Sequence, residues 1–398
     1  MGLRRNDEYP LEETTGTQMR PIRVLTLIDG FRMGGAETLL APLAVAMRDT
    51  EVEMDVVGLD RASVNAQKTM AILSEAGVHP HSLGVRRLLD PTGIPRLVRE
   101  IRRGDYDLVH THLEMAATFA VPAAKLTGRP VVCTFHHVTQ RWPGRAHWRE
   151  QIAAEAATLG DRVLFVSDAS RTSWADVHRR GRIPRNWDVL HNGIDVTNFQ
   201  PGEVKPAVRA ELGGGPAPLV VLPAAFRFFK GIPVAIEAWP QVLRKHPDAI
   251  LSLVGGGPDE AAFRKLVSDA DLEQSIVFAG VRSDMPDVYR AADVVLLPST
   301  FGENLPTVLI EASASGKAIA ASRIGGIPDI ILDEGTGLLF EPNEPAALAA
   351  AVNRLLDNPD LRKTLGQNAI ERARNEFSSS SWARRLSNLY SDLVERKR

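Results

Sequence analysis

From Arg23 onward, short β-rich runs alternate with stretches of helical periodicity. The runs Arg23–Ile28, Met54–Leu59, Leu108–His112, Val131–Phe135 and Val163–Ser167 predict strands in the first half. The residues Thr38–Met47, after the first run, read as a helix. The rhythm restarts near Leu219, with strands predicted at Leu219–Ala224, Ile250–Val254, Ile276–Ala279, Val294–Pro298 and Ala318–Ser322. Runs that are apolar throughout, rather than alternating, belong to parallel sheets covered on both faces by helices. The expected fold class is therefore α/β, with two doubly wound parallel-sheet domains joined by the Pro- and Gly-containing stretch Gln200–Pro218. Near the C-terminus, the serine run 378–381 can cap a helix, and Trp382, Leu386, Leu389, Tyr390 and Leu393 follow at helical spacing. That helix could pack on the second domain or cross back to the first.

Composition narrows the class. The chain has 398 residues, 44% hydrophobic and 24% charged, enough apolar material for large cores without a metal or disulfide staple. Its 47 basic and 49 acidic residues give a formal charge of −2, which excludes a broadly basic nucleic-acid binder and a disordered acidic chain. Cys133 is the only cysteine, so an internal disulfide and Cys-rich zinc or redox motifs are excluded, and a reducing compartment fits. No apolar run approaches the roughly 18 residues of a membrane span. Residues 1–20 are polar, lack the apolar core of a signal peptide, and read as a flexible tail. Met1-Gly2 begins like a myristoylation site, but Asn6 stands where Ser or Thr is required. The expected location is the cytoplasm.

In open parallel sheets, ligands bind beyond the carboxyl ends of strands, so polar clusters that directly follow strands carry the information. Gly34-Gly35-Ala36-Glu37 lies between a strand and a helix, where adjacent glycines and free N–H groups favour an anion. It lacks the spacing of a Walker loop or a dinucleotide fingerprint. His110 and His112 end one strand and share a face, and His136-His137 ends another. Four such histidines could bind a metal, but no carboxylate pattern flanks them; hydrogen bonds to a substrate are the favoured reading. Cys133 reads as a small core residue. Arg227 and Lys230 sit three residues apart at a strand-to-helix turn, where they could neutralise a diphosphate, or simply belong to a solvated turn. Most specific is residues 298–312, PSTFGENLPTVLIEA. Glu303 lies in the loop after an apolar strand, and Glu311 follows the apolar Val308, Leu309 and Ile310. A carboxylate in such a run needs hydrogen-bond donors, and sugar hydroxyls supply them.

This segment resembles the E-x7-E signature of retaining GT-B glycosyltransferases, particularly glycosyltransferase family 4. Similar pieces occur in the family's order: Gly34-Gly35-Ala36-Glu37, Thr134-Phe135-His136-His137, Val166-Ser167, His191-Asn192-Gly193-Ile194-Asp195, Lys230-Gly231, Gly255-Gly256-Gly257-Pro258, Gly325-Gly326-Ile327-Pro328 and Gly337-Leu338-Leu339-Phe340. The resemblance spans nearly the whole chain from about residue 22. It implies a Rossmann-like acceptor domain over 21–199, a Rossmann-like nucleotide-sugar domain over 200–378, and a terminal helix, 379–398, crossing back to the first.

The resemblance also implies roles. Glu311 would bind the ribose hydroxyls. Glu303, with the backbone of Asn304, Leu305 and Pro306, would hold the transferred sugar. Lys230 would compensate the charge of the departing diphosphate, Gly34 and Gly35 would approach it from the opposite domain, and His136 would lie near the reacting sugar. Gly255 and the turn at Val281 and Arg282 would lie near the base. No cofactor and no metal is implied; the donor is a UDP- or GDP-linked sugar. Attack from the leaving-group face would retain anomeric configuration, the leaving phosphate helping to take the acceptor's proton, with the domains closed to exclude water. Asp269-Ala270-Asp271 resembles the metal-binding D-x-D of another glycosyltransferase fold but falls in a polar helix-to-strand connection and reads as solvated.

Two positions depart from the pattern. Ala225 stands where an Arg often precedes the Lys by five residues, which leaves Arg227 as the nearest substitute, and Gly256 replaces a common acidic residue. The acceptor is a glycan, a lipid-linked sugar or a small molecule. Arg86, Arg87, Arg96, Arg99, Arg102 and Arg103, interleaved with Leu88, Leu89, Ile94, Leu97, Val98 and Ile101, read either as a solvated helix or as a basic amphipathic face for the inner surface of the cell membrane. Trp142 and Trp148 stand among Arg141, Arg145 and Arg149. Alternative functions are a GT-B sugar-nucleotide epimerase and a non-catalytic sugar-nucleotide-binding subunit.

Overall fold

The computed structural model describes residues 20–32, 34–60, 66–85 and 90–397. The tail before residue 20, and Arg86, Arg87, Leu88 and Leu89 of the basic stretch, lie outside the described residues. Thirteen strands among the described residues form two parallel sheets. The first holds β1 (Ile22–Ile28), β2 (Val52–Gly58), β3 (His81–Ser82), β4 (Leu108–His112), β5 (Val131–Phe135), β6 (Arg162–Phe165) and β7 (Trp187–Val189). Its spatial order is β3-β2-β1-β4-β5-β6-β7. The second holds β8 (Leu219–Pro223), β9 (Ile250–Val254), β10 (Ile276–Gly280), β11 (Val294–Leu297), β12 (Ala318–Ser322) and β13 (Leu338–Phe340), ordered β10-β9-β8-β11-β12-β13. Both are Rossmann-like, and each reverses its winding between two central strands, β1 and β4 or β8 and β11. Those strands are buried because helices cover both faces of each sheet; β4, β5, β8 and β12 are buried along their whole length.

The three short edge strands were not among the expected ones. His81–Ser82 has no apolar run, and the other two are three residues long. β6 ends before Ser167, because that serine is already the cap of the next helix, Asp168–His178, accepting from the Ser170 N–H at 3.1 Å. The stretch expected as a linker is not a bare one. It contains the helix Pro206–Glu211, whose Val208, with Leu212 behind it, is buried in the core of the second lobe. Arg209 fastens the segment to Asp293 at 2.8 Å.

The chain passes between the lobes twice, and the two passages are paired. Ile194 N–H donates to Phe377 O at 2.9 Å, and Ser379 N–H donates to Ile194 O at 2.7 Å. The His191 ring stacks on Phe377 with centroids 5.2 Å apart. The last helix, Ser379–Glu395, is capped by Ser378 and lies against the first lobe. Its Trp382, Leu386, Tyr390 and Leu393 are buried with Val24, Leu40, Leu43 and Met47 beside β1. Burying four large side chains at about 1.5–3 kcal/mol each ties the C-terminus to the lobe where the chain began.

Candidate functional site

The glycine loop after β1 and the turn after β4 meet on one side, at the first lobe's switch point. The turns after β8 and β11 meet on the other. The space between them is a cavity of about 390 Å³. Gly35, Glu37, Leu113, His136, His137 and Asn192 line it from the first lobe, and Glu303, Asn304, Leu305, Pro306 and Thr307 from the second. The volume suits a small ligand held between domains.

On the second-lobe side, adjacency of β8 and β11 explains how residues 73 apart touch. Lys230 Nζ lies 2.6 Å from Glu303 Oε1, which also accepts from Ser299 Oγ at 2.6 Å. Ser299 is itself fixed, its carbonyl accepting from Ser322 Oγ at 2.6 Å. Gly231 makes this approach possible. Its φ is +73°, and a Cβ there would fall 1.8 Å from Pro298 O, so only glycine lets the Lys230 turn close on the Glu303 loop. Glu311 lies one helical turn beyond Thr307, bonded to it, and accepts from Tyr289 O–H at 2.8 Å. Burial pushes the Glu311 carboxyl up, against both hydrogen bonds.

The base-side residues lie together at the ends of β9 and β10, outside this cavity. A Cβ on Gly256, beside Gly255, would meet Val281 Cγ2 at 3.1 Å, and the Val281 side chain is 83% exposed, an open apolar platform. Arg282 is already engaged by both oxygens of Asp284 and by Glu211, so its guanidinium is committed within the protein. Among the described residues the exposed Arg227 makes no side-chain hydrogen bond or ion pair, while its neighbour Phe228 donates its N–H to Asp259 at 3.0 Å.

The first-lobe wall is a network of side chains. His136 Nε2 lies 2.8 Å from His112 Nδ1, and Asn192 Nδ2 donates to His136 Nδ1 at 3.2 Å. With Asn192 donating, His136 carries its proton on Nε2 and gives it to His112. Burial, then the neighbouring ring of His112, holds His136 well below the usual imidazole range, so it is neutral. His110 and His112 do not line the cavity as expected; both are fully buried. His110 is bonded to Tyr390 O–H at 2.6 Å and to Thr134 Oγ1 at 2.7 Å, and burial holds it down at about 3. His112 Nε2 is buried without a partner. His137 lies 3.2 Å from Glu114 and 3.1 Å from Glu150. Burial alone would lower it, but these carboxylates raise it. Burial likewise opposes ionisation of Glu150, yet hydrogen bonds from His137, His178 and Thr139 outweigh that and hold it at about 2. Asp29 takes the N–H groups of Ala116 and Met115, but burial and the charge of Glu114 push it up to about 7. Leu113 enters the next helix at φ +75°, a strained conformation for leucine at the cavity wall.

Of the residues selected from sequence, the cavity gathers Gly35, His136, Glu303, Asn304, Leu305 and Pro306. Lys230 joins through Glu303, and Glu311 through Thr307. Gly34, beside Gly35, faces the Glu37 carboxylate, which lies 2.5 Å from where its Cβ would be. Sequence reasoning missed Ser299, Tyr289, Thr307 and Asn192. The first two contact the E-x7-E carboxylates from outside the motif's core, so the local pattern carried no signal for them. Cys133 is buried. The basic helix Gly93–Arg103 buries Leu97 and Ile101 in the core, with Ile94 and Val98 packed against it. Its apolar side is therefore not free to enter a membrane. Among the described residues no helix is long and apolar enough to cross one.

Two Rossmann-like lobes facing each other across a cleft define the GT-B class. The fold matches Anabaena Alr3699/HepE in complex with UDP at a TM-score of 0.79 and 22% identity, over 93% of this chain and 100% of that one. A glycosyltransferase from Rickettsia africae gives 0.78 at 20% identity, over 95% and 100%. A family model described as Glycosyltransferase Family 4 matches residues 33–198, and one described as Glycosyl transferases group 1 matches residues 207–372. D-inositol 3-phosphate glycosyltransferases of Corynebacterium kroppenstedtii and Corynebacterium efficiens are 33% and 31% identical, over 73% of this chain and 68% and 73% of their own. The chain belongs to the group 1, family 4 glycosyltransferases, and its chemistry is glycosyl transfer.

Proposed function

We propose that the chain transfers a sugar from a UDP- or GDP-linked donor to a hydroxyl acceptor with retention of anomeric configuration, without a metal or cofactor. The observation that carries this is the Lys230–Glu303 pair, 2.6 Å across, on the rim of a cavity whose opposite wall presents the glycine loop and a neutral His136. As the glycosidic bond lengthens, negative charge grows on the diphosphate. Lys230 and the amides of Gly34 and Gly35 are the groups to stabilise it. Glu303 to Pro306 would hold the sugar, and Glu311 the ribose. The base would rest near Gly255 and Val281.

The relatives' names make a small cyclitol phosphate the first acceptor to try. On the acceptor side, Arg149 is an exposed cation without an ion pair among the described residues, close enough for its charge to favour ionised Asp29. A lipid-linked acceptor is the second reading. Trp142 and Trp148 are 39% and 66% exposed beside Arg141, Arg145 and Arg149, an arrangement suited to an anionic lipid surface. The test is one assay: UDP- and GDP-sugars are offered with a cyclitol phosphate, with short glycans, and with a lipid-linked acceptor in anionic vesicles. A product glycoside whose anomeric proton coupling matches the donor's supports the reading. An inverted product overturns the stereochemistry. An epimerised donor without acceptor, or binding without turnover, overturns transfer.

A further inference from the structure

We propose that Ser167 and Asp329 form an interlobe clasp that positions the Glu303–Pro306 loop against the first lobe. It rests on the reading above, because the loop matters only if it holds the donor.

The Ser167 hydroxyl does two things at once. It accepts the Ser170 N–H as the cap of helix Asp168–His178, and it donates across the cleft to Asn304 Oδ1 at 2.5 Å. Asn304 is the residue directly after Glu303, so the hydroxyl that starts a first-lobe helix also fixes the second lobe's sugar-holding loop. One residue on, the N–H of Asp168 donates to Asp329 Oδ2 at 2.7 Å. A carboxylate of the second lobe thus sits on the positive end of a first-lobe helix, the favourable side of its dipole.

The backbone between these contacts leaves little slack. A Cβ on Gly326 would fall 1.6 Å from Asn304 O and 2.7 Å from Ser167 Cβ. The segment carrying Asp329 is thereby wedged between the catalytic loop and the first lobe. Asp329 Oδ2 also lies 3.5 Å from His191 Nε2, at the first passage between the lobes, and Arg372 donates to the Asp329 carbonyl at 2.8 Å. Asn304 Nδ2 is buried without a partner among the described residues, so the clasp leaves one donor unmet and would gain from a shift that brought it an acceptor. Neither Ser167 nor Asp329 lines the cavity, so both act through the loop and are positioning residues.

The experiment compares wild type with Asp329→Ala, Asp329→Asn and Ser167→Gly. Glycine remains a fair helix cap and removes the hydroxyl together with its methylene, so it carries the test if Asp329→Ala fails to fold. UDP affinity is read by calorimetry, the interlobe distance distribution by small-angle scattering with and without UDP, and kcat and KM by product formation. Asp329→Ala and Ser167→Gly are expected to lower kcat about ten- to hundredfold, the effect of misplacing a reacting group by ~1 Å, and to broaden the free protein's scattering profile. UDP affinity should stay within about twofold, and Asp329→Asn, which keeps an acceptor for the Asp168 N–H, should recover most of the loss. Folded variants with wild-type kcat and an unchanged profile overturn the clasp. A wild type that neither binds UDP nor transfers a sugar instead overturns the function on which it rests.

Discussion

The two walls of the cleft are built on different principles. The second lobe presents backbone and a short ion pair: a glycine turn at 231, a loop from 303 to 306, and Lys230 against Glu303. The first lobe presents a web of buried and half-buried titratable side chains, His110, His112, His136, His137, Glu114, Glu150 and Asp29, several pushed far from their ordinary protonation. On the proposed function, a wall of backbone turns would bind what every donor shares, a diphosphate and a ribose. A wall of interlocked side chains can differ from one relative to the next and still fold. Changes on the second-lobe wall should therefore appear in turnover, and changes behind the first-lobe wall in stability and its pH dependence.

The largest expected effect is Lys230→Ala. It removes the cation proposed to face the departing diphosphate and should lower kcat by about 10²–10³-fold, the usual effect of deleting one charge-stabilising group. Glu303 keeps its bond from Ser299 but is left buried without its cation, so a fall in melting temperature should accompany the loss of turnover. Steady-state kinetics with a calorimetric melt checks both halves. Near-normal turnover would remove the main distinction between the walls.

Next is Glu150→Gln, behind the first-lobe wall. Glu150 holds His137, His178 and Thr139 together. Its folded pKa, about 2, lies below its ordinary value, so its ionised form is favoured by folding. That contribution is fully present above the unfolded carboxyl pKa and is lost as pH falls through about 2. His137, raised by the same contact, contributes in the opposite direction, losing its share as pH rises through its elevated folded value. The variant should cost about 3 kcal/mol at pH 6, and the deficit should vanish near pH 2. Denaturant titration across that range, with donor KM measured at pH 7, separates a stability effect from a binding one.

The same contrast explains what the sequence allowed. Strand-to-loop position and the E-x7-E spacing exposed Lys230, Glu303 and Glu311, because the first two follow the end of a strand and the third lies at a fixed spacing on the helix that comes next. Strand periodicity also put His110 and His112 on one face. Their burial was not legible, since it depends on Tyr390 from a helix 280 residues later. Ser167 stood in a recognisable motif fragment and Asp329 directly after one, but their partners belong to the other lobe, and nothing local in either segment points across a cleft. The edge strands were missed for a simpler reason: two or three residues cannot display a period.

The smallest effect tests how far that remote burial matters. Tyr390→Phe keeps the ring in its apolar site and removes only the hydroxyl bonded to His110 Nδ1. His110 would retain Thr134 on its other nitrogen but bury an unmet polar atom, at a cost of about 1–2 kcal/mol. The His110 ring lies 4.4 Å from that of His112, which holds His136, so the loss sits two residues from the cavity. If the first-lobe web serves mainly to stabilise, denaturation should show the full deficit while kcat and KM for the donor stay within about twofold. A tenfold fall in kcat with unchanged stability would mean instead that the terminal helix reaches the reacting sugar through the histidines, and the two walls would no longer divide the work between fold and chemistry.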